Sequence, residues 1–350
     1  MSSKSEGKTV LKQIAEKAGV SVSTVSIVLN GRGDEMRISS ATQDRVRECA
    51  KDADYTPNVY ARKLRKSADS GNAKVVGVFW STDFLDESMG EFFQNAHQTI
   101  LEKNYSFEFS IHFFTPCHLN EIKDQLVPWQ FNSILFCGAR KEDVDFLESL
   151  HLDIPIVVSN NSQAETLSSV YVDNIDVGKR SARTLFDHGY KSAGIITQHR
   201  LTSGASIRRF GFTSEAEHLG MTIRPEWCAS VDFSDLNATR EAVTRILSGS
   251  EKPDSLYVVS YHNAISIIMA VNDLAQGSDE NSCALMICGQ NPMLNVLAQN
   301  ACFVNLGIGI YARQGLEMLQ LLMDGNLNGP VKWVITPKID DDKLKMFDKG

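Results

Sequence analysis

Residues 11–31 read LKQIAEKAGVSVSTVSIVLNG, and this stretch decides the fold of the N-terminal part of the chain. Its first half repeats apolar residues at helical spacing and stops at Gly19, whose missing Cβ suits a left-handed helix C-cap. Ser21 can then cap a second helix by accepting a hydrogen bond from the backbone of the next turn. Two short helices joined by a glycine-containing turn predict a helix-turn-helix. The positions expected to face inward are Leu11, Ile14, Ala15, Ala18, Val25, Val28 and Leu29.

The second helix has to expose the side opposite its apolar positions. If it enters a DNA major groove, Ser23 can donate or accept at a base edge, whereas Val22 and Ile27 offer apolar contact to a thymine methyl. A helical pair that merely packs has the same spacing, so this alternative stays open on the pattern alone. The predicted base-edge contacts are Val22, Ser23, Ile27 and Asn30, and the predicted phosphate contacts are Ser21, Thr24 and Ser26.

The charge of the chain is divided unevenly along its 350 residues. Residues 1–74 contain 14 lysines and arginines against 9 acidic residues, whereas the remainder contains 21 against 34. A basic end on an acidic body indicates a nucleic-acid-binding head. The first residues lack the apolar core of a secretory signal and no run of 18 apolar residues occurs, so we expect a cytoplasmic, nucleoid-associated protein with no membrane partner.

The segment after the head changes in composition, with PNVYARKLRKS from Pro57 followed by ADSGNAK up to residue 74. Proline can open a helix, and the Ser/Gly/Asn run indicates a linker. Leu64 lies among four cations, which suits a side chain that wedges into a minor groove while its neighbours neutralise phosphates. A basic helix that is simply solvated is the alternative.

From residue 75 onward, apolar runs of four to eight residues alternate with amphipathic segments of 10 to 15 residues. This pattern is typical of parallel sheets with helices on both faces, and the remaining length suffices for two such lobes. The fold class expected for the whole chain is therefore α/β, with an all-α head. The runs are VVGVFW, FEFSIHFF, SILFC, IPIVVS, AGIIT, LYVVS, ALMIC and FVNL.

Several of these segments together resemble the LacI/GalR (lactose-repressor) family of transcriptional regulators. The resemblance is carried by IAEKAGVS, TVSIVLNG and TQDRVRECAKDADYTPNVYARKL, and in the body by VYVDNIDVGKRSARTLFDHGY and IRRFGF. It implies a helix-turn-helix domain over 1–58, a hinge helix and linker over 59–74, and a two-lobed, periplasmic-binding-protein-like body over 75–350.

The resemblance also implies partners: a palindromic double-stranded DNA operator, a second copy of the chain in a homodimer, and a small-molecule effector, related to carbohydrates, that binds between the lobes. The hinge helix would enter the minor groove. Its predicted contacts are Ala61, Leu64 and Arg65.

Four body positions match effector contacts of the family, and two further positions depart from its pattern. Asp173 has an alternative role as the N-cap of the helix that follows it. An amide at Gln290 replaces an aspartate that is common in the family, and an amide can donate as well as accept, so sugar specificity does not carry over. The predicted effector contacts are Phe92, Phe93, Asp173, Arg208, Tyr261 and Gln290.

No catalytic, cofactor or metal site is expected. LGIGIYA fits a dinucleotide-loop pattern but comes too late in the chain to open two β-α-β halves. The seven cysteines are scattered without a C-x-x-C pair and read as reduced thiols. The function predicted is a DNA-binding repressor under effector control. The alternative is a regulator whose body serves only as a dimerisation or protein-docking scaffold.

Overall fold

The computed structural model describes residues 3–29, 33, 36–53, 73–85, 87–126, 130–160, 162–199, 203–232, 235–275, 283–289, 292–298 and 300–344. The chain divides into an N-terminal unit, here termed the head, and a body that begins at Val76.

The described residues of the head form three helices: α1 (Ser3–Ala18), α2 (Val22–Leu29) and α3 (Ser40–Asp52). Helix α1 ends at Gly19, which has φ +66°, and the amide of Val20 donates to the carbonyl of Ala15 at 3.0 Å. Ser21 Oγ accepts from the amide of Thr24 at 3.1 Å and so caps α2. The helix-turn-helix predicted from residues 11–31 is confirmed.

The head encloses a small apolar core at the junction of its three helices. Ile14, Val25 and Val46 are each fully buried, one from each helix. Burial of an aliphatic side chain of this size stabilises a fold by roughly 1.5–3 kcal/mol. Arg45 closes the end of α1, because its Nε donates to the carbonyl of Ala18 at 3.0 Å.

The described residues of the body form two six-stranded sheets, one in each lobe. The first sheet has the order β11-β5-β4-β3-β1-β2 and the second the order β12-β10-β9-β8-β6-β7. The strands of the first sheet are β1 (Lys74–Ser81), β2 (Phe107–Phe114), β3 (Ser133–Cys137), β4 (Ile156–Ser159), β5 (Ser168–Val172) and β11 (Lys332–Ile335). Those of the second are β6 (Ala193–Gln198), β7 (Cys228–Val231), β8 (Ser255–Val258), β9 (Ala284–Cys288), β10 (Ala301–Asn305) and β12 (Lys338–Asp340).

The central strands of each sheet pair in parallel, and they are buried on both faces. Strand β3 pairs with β1 in the register Val78 to Leu135, and β9 pairs with β8 in the register Leu256 to Leu285. All four of these residues are at most 2% exposed. Double burial explains why the strands read as continuous apolar runs. Strand β12 runs antiparallel to β10 at the edge of the second sheet.

Helices cover the sheets, and the chain passes between the lobes three times: after β5, after β10 and after β11. The carboxyl ends of parallel strands at such points are where α/β proteins place their ligands. The body helices are α4 (Glu87–Lys103), α5 (Lys141–Ser149), α6 (Asn174–Asp187), α7 (Ser203–His218), α8 (Leu236–Leu247), α9 (Ala264–Ala275), α10 (Pro292–Leu297) and α11 (Ile308–Met323).

Helices α6 and α7 cross with their backbones in contact, because each contributes a glycine to the crossing. A Cβ on Gly178 would lie 2.1 Å from the carbonyl oxygen of Arg208, and a Cβ on Gly211 would lie 2.4 Å from that of Ile175. This close approach fixes α7, which carries Arg208, against the helix that follows β5.

The predicted fold class is confirmed: a helical head precedes a two-lobed α/β body built on parallel sheets. No helix in the described ranges is long and apolar enough to span a membrane.

Candidate functional site

Helix α2 presents one polar face and buries the other. Val25 is fully buried and Val28 is 2% exposed, whereas Val22 is 43% exposed. Ser21 and Ser23 are also exposed, and Thr24, Ser26 and Ile27 are partly exposed. The described residues predicted to contact DNA therefore lie on the side of α2 that the head core leaves open.

Hydroxyl groups cluster at the N-terminus of α2. Ser21 Oγ lies 2.7 Å from Ser23 Oγ and 2.9 Å from Thr24 Oγ1. A helix N-terminus carries a partial positive charge, and hydroxyl groups there are suited to hold a phosphate oxygen. Because Ser23 is hydrogen-bonded within this cluster, reading a base edge would require its hydroxyl to exchange partners or to use its second lone pair.

Five predicted contacts lie outside the described residues, and their predictions stay untested. They are Asn30 in the head, Ala61, Leu64 and Arg65 in the hinge, and Gln290 in the body.

The body contains a cleft of about 350 Å³ between the lobes, lined from both sheets. Its walls are formed by residues at or just beyond the carboxyl ends of strands, together with residues of α4, α7 and α11. The volume is in the range that small-molecule sites occupy. The lining residues are Asp83, Phe84, Ser88, Arg140, Asn160, Val172, Asn174, Gln198, Gly204, Ala205, Arg208, Ser260, Tyr261, His262, Cys288, Leu306, Ile308 and Tyr311.

Arg208 is the most deeply buried charged group of the cleft, with 6% exposure. Its guanidinium donates to the side-chain oxygen of Asn174 at 2.6 Å and to the carbonyl of Val259 at 3.1 Å. Its Nε atom is buried and has no hydrogen-bond partner among the described residues. Arg208, the effector contact predicted from RRFGF, therefore lies in the cleft wall. Its Nε–H group can donate to a ligand.

A second cation, Arg140, lies on the first-lobe side of the cleft and is paired. Its guanidinium donates to the carboxylate of Asp83 at 2.5 Å, and each of the two side chains is 35% exposed. Asp83 is the only carboxylate among the described lining residues. The negative charge of Asp83 is therefore paired with Arg140 within the first lobe.

Tyr311 joins α11 to the first sheet beneath the cleft. Its hydroxyl donates to Asn160 Oδ1 at 2.9 Å and accepts from the amide of Val172 at 3.1 Å. Burial raises the pKa of this phenol far above its usual value, so the hydroxyl stays protonated as a donor. It fixes the ends of β4 and β5 relative to α11.

The aromatic residue that reaches the cleft from the first lobe is Phe84, not Phe92 or Phe93. Phe92 is 2% exposed and packs edge-on against Trp80 at 5.0 Å, and Phe93 packs against Phe92 at 5.4 Å. Neither is among the residues that line this cleft, because both sit on α4, whose apolar face covers the sheet. Their predicted role as effector contacts stays untested. Gly138 leaves room for the Phe84 ring, since a Cβ there would lie 2.6 Å from it.

Asp173 does not line the cleft either. Its carboxylate accepts from the amides of Ile175 and Asp176 at 3.0 and 3.1 Å, so it caps α6. The alternative role raised from the sequence is the one the geometry supports. The following residue, Asn174, is the one that lines the cleft and binds Arg208.

Tyr261, which is a predicted effector contact, lines the cleft from the second lobe. Its ring packs against Gly289, where φ is +107° and an added Cβ would lie 2.1 Å from a ring carbon. It also stacks on His262 at 4.7 Å, and His262 Nδ1 lies 2.5 Å from Ser260 Oγ. This group gives the second lobe an aromatic face beside polar atoms.

Sequence reasoning missed most of the polar lining, including Asp83, Arg140 and Asn160. A usable signal was present, because each follows the carboxyl end of a strand that the apolar runs had located. Across the described residues, no three His, Cys, Asp or Glu side chains group as a metal site.

Comparison with known proteins gives two family matches. The model described as "Bacterial regulatory proteins, lacI family" matches residues 10–58, and that described as "Periplasmic binding proteins and sugar binding domain of LacI family" matches residues 89–281. The chain is 27% identical over 229 residues to the sucrose operon repressor of Klebsiella pneumoniae, covering 65% of this chain and 66% of that protein. It is 24% identical over 264 residues to the transcriptional repressor PurR of Haemophilus influenzae, covering 75% and 76%.

Among solved structures, the lac repressor dimer bound to operator and the anti-inducer ONPF is similar with a TM-score of 0.67 and 13% identity, covering 95% of this chain and 98% of that one. At this identity the likeness concerns the fold. The relatives are repressors rather than enzymes. Because the second family match spans more than half of the chain, the protein belongs to the lacI family of bacterial regulatory proteins and is a DNA-binding transcriptional regulator.

Proposed function

We propose that this regulator is a cytoplasmic, homodimeric repressor that binds a palindromic operator and is controlled by a small molecule held between its lobes. The observation that carries the proposal is the cleft of about 350 Å³, whose walls combine a buried arginine with aromatic and amide side chains. A body used only as a scaffold has no need for a buried guanidinium with an unpartnered donor, because an unpaired buried polar group costs stability. No catalytic step is part of this proposal.

In the proposed complex, α2 lies in the major groove, with Val22, Ser23 and Ile27 towards base edges. The partial exposure of Ile27 supports an apolar contact, for which a thymine methyl is the matching group on a base edge. Ser21, Thr24 and Ser26 would hold phosphates. The hinge contacts at Leu64 and its neighbours remain part of the proposal on sequence grounds.

Exposed apolar side chains on the body support a homodimer. Ile265 and Met269 lie one turn apart on α9 and are 42% and 48% exposed. Val296 and Leu297, at the end of α10, are 84% and 46% exposed, and Asn272 of α9 donates to the carbonyl of Leu297 at 3.2 Å. Both pairs expose apolar side chains of the kind that subunit interfaces cover.

Regulation would follow from linkage between the cleft and the hinge. An effector that contacts both lobes favours the lobe arrangement in which those contacts are made together. If only one arrangement lets the paired hinges fold on DNA, effector binding and operator binding are coupled by one free energy. The chain crosses between the lobes three times, which restricts them to a small set of arrangements.

The DNA half of the proposal is tested with an operator selected from random duplexes and measured by fluorescence anisotropy. Replacing the thymine beneath Ile27 with uracil removes one methyl, so wild-type binding should weaken by about 0.8 kcal/mol, or about fourfold. The Ile27→Ala variant should be indifferent to the same replacement. Equal losses in both proteins, at every thymine of the half-site, would refute the contact.

A further inference from the structure

Resting on the proposed function, we infer that the effector is an anion: a small polyhydroxylated molecule bearing one carboxylate or phosphate that binds Arg208. Three features of the cleft support this inference: its charge balance, the direction of helix α7 and the spare donor of a buried guanidinium.

The charge balance begins with the described lining residues. Two arginines face one carboxylate, and that carboxylate, on Asp83, is bound to Arg140 within the first lobe. The partners of Arg208 are a neutral amide and a backbone carbonyl. No ion pair joins Arg208 to a described carboxylate, although the side chain is only 6% exposed. A buried cation in this state lacks the counter-charge that such groups ordinarily have.

The sequence of the second lobe supplies no hidden counter-charge in the loops that face the cleft. No aspartate or glutamate occurs between Asp187 and Glu215, the range that contains β6 and Arg208. Aspartate and glutamate are also absent from residues 255–272, which contain β8, and from residues 281–316, which contain β9 and β10. These three segments provide every second-lobe residue in the lining. Among the described residues, therefore, no carboxylate balances Arg208, and an anionic ligand would supply the missing negative charge.

Helix direction adds to the same preference. Gly204 and Ala205, in the first turn of the 16-residue α7, line the cleft. A helix N-terminus carries partial positive charge and unpaired amides, which favour an anion. The start of α7 therefore adds to the positive potential of Arg208, whereas at the start of α11 the amide of Gly309 already donates to the carboxylate of Glu91 at 3.3 Å.

The opposite wall suits the neutral part of the molecule. Asn160 and the Asp83–Arg140 pair present acceptors and donors, and Phe84 presents an aromatic face. Hydroxyl groups can bind to such donors and acceptors while the carbon skeleton packs on the ring. A hexuronate, an aldonate or a hexose phosphate has both parts.

The test uses the full-length protein and matched probes: D-glucose, D-gluconate, D-glucuronate and D-glucose 6-phosphate, extended to the corresponding sets of other hexoses. Thermal shift identifies binders and calorimetry gives their Kd. We expect at least one anionic member to bind and its neutral counterpart to bind about 10- to 100-fold more weakly, as the loss of a charged hydrogen bond implies. Carboxylate and phosphate members of each set distinguish the two sources of charge.

Arg208→Gln should abolish the preference for the anion. Arg209→Gln is the matched control, because Arg209 is the neighbouring residue, is exposed, and loses the same charge. If the Arg208→Gln variant does not fold, ligand binding to the wild-type protein is measured at increasing KCl concentration instead. The Kd of the anion should rise with KCl, while the Kd of any neutral binder should stay constant.

A neutral sugar that binds as tightly as its charged counterparts would overturn the inference and leave effector control intact. If no member of any set shifts the melting temperature, both the inference and the effector half of the proposed function fall. Operator binding, measured separately, would still stand.

Discussion

Replacing Gly178 with alanine tests the crossing of α6 and α7 that positions Arg208. The added Cβ would lie 2.1 Å from the carbonyl oxygen of Arg208 and 2.5 Å from the backbone nitrogen of Phe212. Ordinary contact begins at 3.4 Å, and neither atom belongs to a flexible side chain, so the helices would have to separate by more than about 1 Å. The perturbation therefore acts directly on the backbone that carries the arginine.

Two effects of opposite sign determine how much Gly178→Ala changes the free energy of unfolding. Alanine in a helix interior is about 0.8–1 kcal/mol more favourable than glycine. Overpacking costs typically about 1–3 kcal/mol, and a backbone contact in the middle of a buried crossing belongs at the upper end. The neighbouring Val177 and Phe212 are both fully buried, so neither helix can tilt away without opening the core. We expect a net destabilisation of about 2 kcal/mol, or a melting temperature lower by roughly 4–8 °C.

Gly90 provides the matched control, because it is also a helical glycine but its added Cβ would meet nothing within 4 Å. Gly90→Ala in α4 should raise stability by about 0.5–1 kcal/mol. Urea unfolding and thermal melting of both variants give the comparison. If Gly178→Ala is as stable as Gly90→Ala, the close crossing does not exist and the placement of Arg208 loses its basis.

Three further outcomes follow from single contacts. Tyr311→Phe should lower the free energy of unfolding by about 1–3 kcal/mol in urea, because the amide of Val172 loses its acceptor. Asp173→Ala should lower it by about 0.5–2 kcal/mol through loss of the α6 cap, yet leave the effector Kd within about twofold; a large loss of affinity would return Asp173 to the effector site. Burial raises the pKa of the Cys137 thiol to about 12, above that of an unfolded thiol near 9.0, so the unfolded chain loses this proton first. Stability should therefore fall as pH rises through that interval, and Cys137→Ala should reduce the slope in pH-dependent unfolding.

Most central strands were predictable from sequence because burial on both faces favours apolar residues at nearly every position. β3, SILFC, is buried at all five positions and is apolar at the last four. β5, SSVYV, begins with two buried serines and was not among the apolar runs. β11, KWVI, lies at a sheet edge with two exposed positions, and β12, KID, has only three residues. Their pairing comes from the crossing connections between the lobes, which no local periodicity contains.

The site was predictable only in part, for a related reason. Arg208 and Tyr261 were located by motifs that follow or precede strands. The packing of Phe92 and Phe93 against Trp80 and each other could not be read from the sequence, because which way a helical side chain faces depends on how the helix lies on the sheet. The Asp83–Arg140 pair joins residues 57 positions apart in the chain, so only the tertiary fold brings it together.

The charge and the geometry of the cleft together constrain which ligands can regulate. A ligand with equal affinity for both lobe arrangements shifts neither, however tightly it binds. Arg208 belongs to the second lobe and Asp83 and Arg140 to the first, so only a molecule long enough to contact both sides distinguishes the arrangements. Inorganic phosphate at Arg208 should therefore compete with the effector but leave operator affinity unchanged. The full anionic polyol should alter operator affinity, because it alone couples the charge on one lobe to the hydrogen-bonding groups on the other.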